Sequence, residues 1–261
     1  MTGSKSAESA VAQTPSSMSF IAFLKTQLRQ SPPAQKGART RERLKIATAS
    51  VLESNGYHAM RVTDITGAAR LAEGSFYIYF KDKKDVSLGV LSEFLQKFVD
   101  LFAPVEAVGT QFESIRHANL RWFAICRANA GLMRCLFQLG DQEDELAQLV
   151  HQTTRKWYQR IAHHVQLERE YTNSDTLLFA IYLMGSMMDE LVRKMIVFPD
   201  QEFLDLLKSW GADDRAVAEA TSMIWIRTFD SNAEPPADLA PVAEGLARLM
   251  WPRPAKPKSV T

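Results

Sequence analysis

The chain has 261 residues, 46% of them hydrophobic, which is enough for one large domain or for two smaller ones that each bury a core. A formal net charge of +1 taken alone argues against a nucleic-acid binder, but the charge is unevenly placed. Residues 36–84 hold ten Lys/Arg and five Asp/Glu, residues 1–35 carry a net +2, and residues 85–261 carry −6, so any phosphate-binding surface lies at the front of the chain.

Residues 1–17 are rich in Ser, Ala and Thr and read as a disordered tail. Phe20–Leu24 with Leu28 predicts one or two helical turns, ended by Ser31-Pro32-Pro33. This extension, residues 1–38, has two candidate roles, docking on the second domain or steadying a DNA contact. Apolar residues at Leu44, Ala47, Val51 and Leu52 predict a helix over 40–55 with one buried stripe, stopped by Asn55-Gly56. Val62, Ile65 and Ala69 form the inner face of a second helix, Arg70-Leu71-Ala72 make a turn, and Glu73–Tyr79 predicts a third helix with Phe76 and Phe80 facing inward. Lys83 opens a long helix to about Phe102. Two short helices, a turn and adjacent cations suit a helix-turn-helix, the motif spanning about 62–80 of a domain at 39–99.

The rest predicts helices near 111–129, 131–138, 142–169, 174–198, 201–209 and 213–230, with a short one over 239–250 in a C-terminal tail at 233–261. Nothing reads as a sheet. Cys126 and Cys135 sit nine apart in an apolar stretch, without a CxxC pair, and predict buried thiols in a reducing cytoplasm. No signal-peptide pattern opens the chain, and Leu177–Met188 is too short to cross a bilayer, so a soluble cytoplasmic protein with no membrane partner is expected. There is no nucleophile–base pair and no glycine-rich phosphate loop; His151 and His163-His164 lack metal spacing. An enzyme, a metal site and a cofactor are therefore not expected.

Several short motifs in register resemble the TetR family of transcriptional regulators: Gly56-Tyr57, Val62-x-Asp64-Ile65, Ala69-x-Leu71, and Gly74-Ser75-Phe76-Tyr77-x-Tyr79-Phe80 with Lys83 after it. The resemblance covers residues 41–99. It implies an all-α fold, with an N-terminal three-helix helix-turn-helix DNA-binding head and a C-terminal helical ligand-binding and dimerisation domain over 100–232.

On that reading the DNA-contacting residues are Arg61, Thr63, Glu73, Gly74, Ser75, Tyr77, Ile78, Tyr79 and Lys83. Gly74 keeps the backbone near DNA unencumbered. Ser75 can bond a phosphate or a base edge. Tyr77, Tyr79 and Lys83 are expected on phosphates, and Arg61 and Thr63 on the DNA backbone. Three positions depart from the family pattern. Ala72 lacks the side-chain cap common there, a loss of typically ~1 kcal/mol. Ile78 replaces a polar residue and favours contact with a thymine methyl. Glu73 stands where a cation is frequent and would accept from a cytosine amino group or point away.

In the second domain Trp122, Cys126, Phe137, Trp157, Tyr158, Phe179, Tyr182, Met184 and Met187 are the candidate pocket residues, an aromatic and methionine-rich set suited to an apolar or aromatic effector. The apolar helices around 177–188 and 217–226 are expected to pair with their symmetry mates in a homodimer. The expected partners are thus double-stranded DNA carrying a palindromic operator, a second copy of the chain and a small-molecule effector. The expected function is a ligand-responsive repressor. The alternative is an architectural or division-linked DNA binder that uses the same head without an effector.

Overall fold

A computed structural model describes residues 18–101, 109–168, 174–230 and 232–251. The serine-rich tail at 1–17, the end of the helix predicted to reach Phe102 and the proline-rich tail after 251 lie outside the described residues. Among the described residues every regular element is helical. The helices are α1 (Phe20–Gln30), α2 (Lys36–Ala59), α3 (Val62–Ala69), α4 (Lys83–Leu101), α5 (Gln111–Ala128), α6 (Ala130–Gly140), α7 (Asp144–Glu168), α8 (Ser174–Val192), α9 (Gln201–Ser209), α10 (Asp214–Phe229) and α11 (Pro241–Met250). One turn of 3-10 helix, Glu73–Ser75, follows α3, and a wider π-turn, Arg193–Val197, follows α8.

Most helices begin and end within a few residues of the positions that periodicity predicts, because the stop signals act locally. Gly56 takes φ 76° and breaks the regular geometry of α2 one residue past the predicted end. At the end of α3, Arg70 adopts the left-handed region at φ 52°, and the Leu71 N–H donates to the Thr66 carbonyl at 2.9 Å. The predicted third helix is shorter than expected. After the 3-10 turn, residues 76–79 form further turns closed by Tyr79 N–H and Phe80 N–H on the Phe76 carbonyl at 3.0 and 3.1 Å. Ala72 offers no side-chain cap to hold a regular α-helix there.

The chain groups into two compact units. The first is Met1–Leu101 with Ala124–Thr153, the second Phe102–Phe123 with Thr154–Thr261. The first unit thus also contains α6.

Three contacts account for that grouping. Asn129, at the start of α6, is fully buried. Its carbonyl oxygen accepts from the Phe20 N–H at 2.8 Å, and its amide donates to the Met18 and Ile125 carbonyls at 2.9 and 2.8 Å. With that side chain occupied, the N-terminus of α6 is capped instead by Glu53 from α2. Its two carboxylate oxygens accept from the Gly131 and Leu132 N–H groups, each at 2.9 Å. Gly131 permits this approach, since a β-carbon there would run into the Glu53 backbone.

The extension packs in the same unit. Phe20 and Leu24 are buried, the Phe20 ring lies 5.3 Å from Phe94 on α4, and the Lys97 ammonium sits 4.6 Å over Phe23. Burying two such side chains contributes roughly 1.5–3 kcal/mol each. α1 thus completes the core under α2 and α4, and its start is bonded to Asn129, within the span 100–232.

In the second unit, α11 lies along α10, with Met223, Ile226 and Ala247 buried together with Phe112. The fully buried Glu219 carboxylate accepts from Arg215 at 3.0 Å, Arg116 at 3.3 Å and the Ala240 N–H at 2.8 Å, tying the start of α11 to α10 and α5. Much of the apolar surface of α10 is therefore covered within its own chain.

Gly131→Ala is expected to destabilise the protein by about 1–3 kcal/mol through overpacking against α2. Glu53→Ala is expected to cost about 1–2 kcal/mol through the lost cap. Urea unfolding followed by circular dichroism measures both, and an unchanged midpoint in either variant would contradict this account of the α2–α6 contact.

Candidate nucleic-acid interface

The helix-turn-helix is α3, the Arg70–Ala72 turn and the stretch from Glu73 to Phe80. Its inner side is apolar. Ile65, Ala69, Phe76 and Phe80 are buried, with the Phe76 and Phe80 rings 5.7 Å apart and the Arg41 guanidinium 5.0 Å over Phe80. The Arg43 guanidinium donates to the Ala69 carbonyl at 2.6 Å, satisfying the C-terminal end of α3. At the other end, the Asp64 carboxylate accepts from the Arg61 N–H at 2.8 Å.

On this frame the predicted contact residues separate. Arg61, Thr63, Glu73 and Gly74 are exposed, and a β-carbon on Gly74 would meet open space. Tyr77 and Ile78 are the outermost apolar side chains of the stretch, 56% and 74% exposed. Ser75 and Tyr79 are half-buried, and the Tyr79 ring lies against Gly37 at the start of α2.

Lys83 departs from expectation. Its ammonium donates to the Tyr57 and Met60 carbonyls at 3.2 and 3.0 Å and lies 4.8 Å over the Tyr57 ring. These carbonyls follow the Gly56 break and have lost their helical partners, so the lysine fastens α4 to the end of α2. Lys84 is paired with Glu143 at 2.7 Å, and that bond holds its pKa above the usual lysine value. Two residues near the surface escaped the sequence reading. Arg70 is exposed and is the single non-glycine residue with positive φ among the described residues; left-handed backbone is ordinarily signalled by Gly or Asn. Gly37 had no partner visible from local pattern.

The candidate pocket residues also separate. Tyr158 is buried with Leu177, Ile181, Trp225 and Phe229, and Trp157, Met184 and Met187 pack on that cluster. Tyr182 meets Tyr158 edge to face at 4.8 Å. Trp122 is half-buried on α5 in the same unit. Phe179 is 64% exposed. Cys126 and Phe137 belong to the first unit, not to this cluster. Cys126 and Cys135 are buried and outside any disulfide, and burial raises the pKa of Cys135.

The cluster holds two polar features that the sequence reading missed. The buried Trp225 indole N–H has no hydrogen-bond partner. The Tyr158 hydroxyl donates to Asp189 at 3.5 Å, and burial pushes the Asp189 carboxyl up to about 6. Burial also raises the pKa of Tyr158, with the Asp189 charge adding to it.

Residues 46–88 match the sequence profile of "Bacterial regulatory proteins, tetR family". Over this head the chain is similar to the tetR family of bacterial regulatory proteins. The chain is 35% identical over 54 residues to the "Fatty acid metabolism regulator protein" of Bacillus subtilis (strain 168), a stretch of 21% of this chain and 28% of that relative. Two solved structures share the fold of a tetR-family head followed by a helical C-terminal region. One is a putative TetR-family transcriptional regulator from Mesorhizobium loti (TM-score 0.56, 13% identity, 74% of this chain and 98% of that one). The other is the fatty acid degradation regulator FadR from Bacillus halodurans (TM-score 0.52, 19% identity, 71% and 93%). Among the described residues no helix is long and apolar enough to cross a membrane, and no group of His, Cys, Asp and Glu could hold a metal ion.

The Asp189 pKa lies above its unfolded value of about 3.9, so its ionised form destabilises the folded state. That cost is absent well below the unfolded pKa, builds as pH rises from about 4 to 6 and is complete above 6. Asp189→Asn is therefore expected to stabilise the protein on the order of 1–3 kcal/mol at pH 8 and by markedly less at pH 4.5. Urea unfolding at the two pH values checks the sign; equal effects at both would contradict it.

Proposed function

We propose that the chain is a homodimeric transcriptional repressor that binds a palindromic operator through its head and is released by an apolar small molecule held in the C-terminal helical region. The observation that carries this reading is the stretch Glu73–Phe80. Its buried pair, Phe76 and Phe80, anchors it, while Tyr77 and Ile78 between them face solvent where a groove would be met. The exposed cations Lys36, Arg39, Arg61, Arg70 and Lys81 supply phosphate attraction over the same basic segment.

A dimer is supported by α8, which leaves Phe179, Tyr182 and Leu183 exposed. On α10, Ala220 and Ile224 are half-buried, and Thr228 touches the Met184 sulfur at 3.8 Å. A self-complementary face of this kind gives an isologous pair, and two heads then read half-sites one turn of DNA apart, about 34–36 Å. Tyr158, Tyr182, Trp157, Met184 and Met187 suit an apolar effector. An effector that prefers the DNA-incompetent state by typically 1–3 kcal/mol would lower operator occupancy appreciably. The names of the fatty-acid relatives make a long-chain acyl compound the first effector to test.

Selection of bound DNA from random duplexes by the full-length protein is expected to enrich a palindrome. On that duplex Tyr77→Ala is expected to lower affinity roughly tenfold with an unchanged unfolding midpoint, as for an exposed side chain. Lys83→Ala is expected to lower stability by about 1–2 kcal/mol, because two carbonyls lose their donor. Binding with no enriched sequence would instead favour an architectural DNA binder.

A further inference from the structure

Ile78 is more exposed than any other large hydrophobic side chain described in the first unit. Its position is set by its neighbours. Phe76 and Phe80 are buried on either side, Tyr79 rests against Gly37, and the Phe76 carbonyl accepts from both the Tyr79 and Phe80 N–H groups. The turn therefore holds Ile78 outward, and no intramolecular packing requires a branched apolar side chain there. At the other end of the stretch, Glu73 is exposed, and its carboxylate has no hydrogen bond or ion pair among the described residues. An acceptor-only group in a major groove is repelled by phosphates and by the acceptor edge of guanine. It leaves only amino groups, on cytosine or adenine, as partners. The major groove offers one apolar feature at base edges, the C5-methyl group of thymine.

We infer that Ile78 is a specificity-determining residue of each half-site and reads a thymine methyl group in the major groove. The inference rests on the regulator reading above and deepens it. It sets Ile78 apart from Tyr77, whose hydroxyl serves the phosphates and is indifferent to sequence. The contact buries one methyl group per half-site against the isoleucine, so its loss is expected to weaken binding roughly fourfold for each thymine.

The test uses the duplex enriched by the full-length protein, with each thymine replaced in turn by uracil. That exchange removes the C5-methyl and leaves hydrogen-bonding edges and phosphates intact. One thymine in each half-site is expected to be sensitive, with roughly fourfold weaker binding by the native protein. Ile78→Ala, which removes the contact from both half-sites, is expected to bind the thymine duplex about as weakly as the native protein binds a duplex with uracil at the sensitive position of both half-sites, roughly sixteenfold, and to be indifferent to that replacement. Two outcomes overturn this inference alone: no sensitive thymine in an enriched duplex, or a sensitivity that survives Ile78→Ala. Failure to enrich any duplex overturns it together with the regulator reading. Because the side chain is exposed, Ile78→Ala is expected to keep the native unfolding midpoint, so the affinity change reports the contact.

Discussion

The Glu53 carboxylate on the N-terminus of α6 is the contact on which the arrangement of the first unit depends. A helix start exposes N–H groups without partners and the positive end of the helix dipole. The residue at the capping position of α6, Asn129, would ordinarily answer both. Here it is turned to α1 and α5 instead, accepting from Phe20 and donating to Met18 and Ile125. The vacancy is filled from 78 and 79 residues away by one carboxylate on α2. Gly131 then lets the two helices come closer than any side chain would allow. Because α2 also carries the core of the DNA-binding head, a helix from the middle of the chain is fastened to the element that positions the recognition stretch.

The recognition stretch itself is held by few forces, and each is local. Phe76 and Phe80 insert into the head, Arg43 satisfies the end of α3, and Lys83 ties the start of α4 to the carbonyls freed by the Gly56 break. The stretch is only a 3-10 turn and the turns after it, with no side-chain cap at Ala72. Rigidity comes from its buried side, which leaves Ile78 free to differ from the family pattern without cost to the fold. A cation that looks like a phosphate ligand in sequence is thus a structural fastener, while the isoleucine expected at the DNA is 74% exposed.

Elements governed by local rules were legible in the sequence. Helix bounds follow from period, Gly56 and the Arg70–Ala72 turn; the inward pair Phe76 and Phe80 follows from helical spacing; two cysteines without a CxxC motif are buried and outside any disulfide. What sequence could not supply are partners for polar groups across long separations. Nothing near Glu53 signals that it caps a helix in the 130s, and nothing near Lys83 shows that two carbonyls around Tyr57 need a donor. The grouping of the candidate pocket residues was only partly legible for the same reason. Aromatic residues at helical spacing were grouped by type, but Cys126 and Phe137 belong to the first unit and Phe179 faces solvent. Trp225, whose indole N–H is buried and unpaired, lies in the stretch 217–226 read only as a dimer face.

The central physical claim is that α2 and α6 behave as one body, so that an event at the DNA-binding head is felt at residues far along the chain. Amide hydrogen exchange at Gly131 and Leu132, with and without the enriched duplex, measures this most directly. Bound DNA is predicted to slow exchange at these two amides together with α2, although both lie outside the matched head at 46–88. Slowing confined to the head, with Gly131 and Leu132 unchanged, would contradict the account.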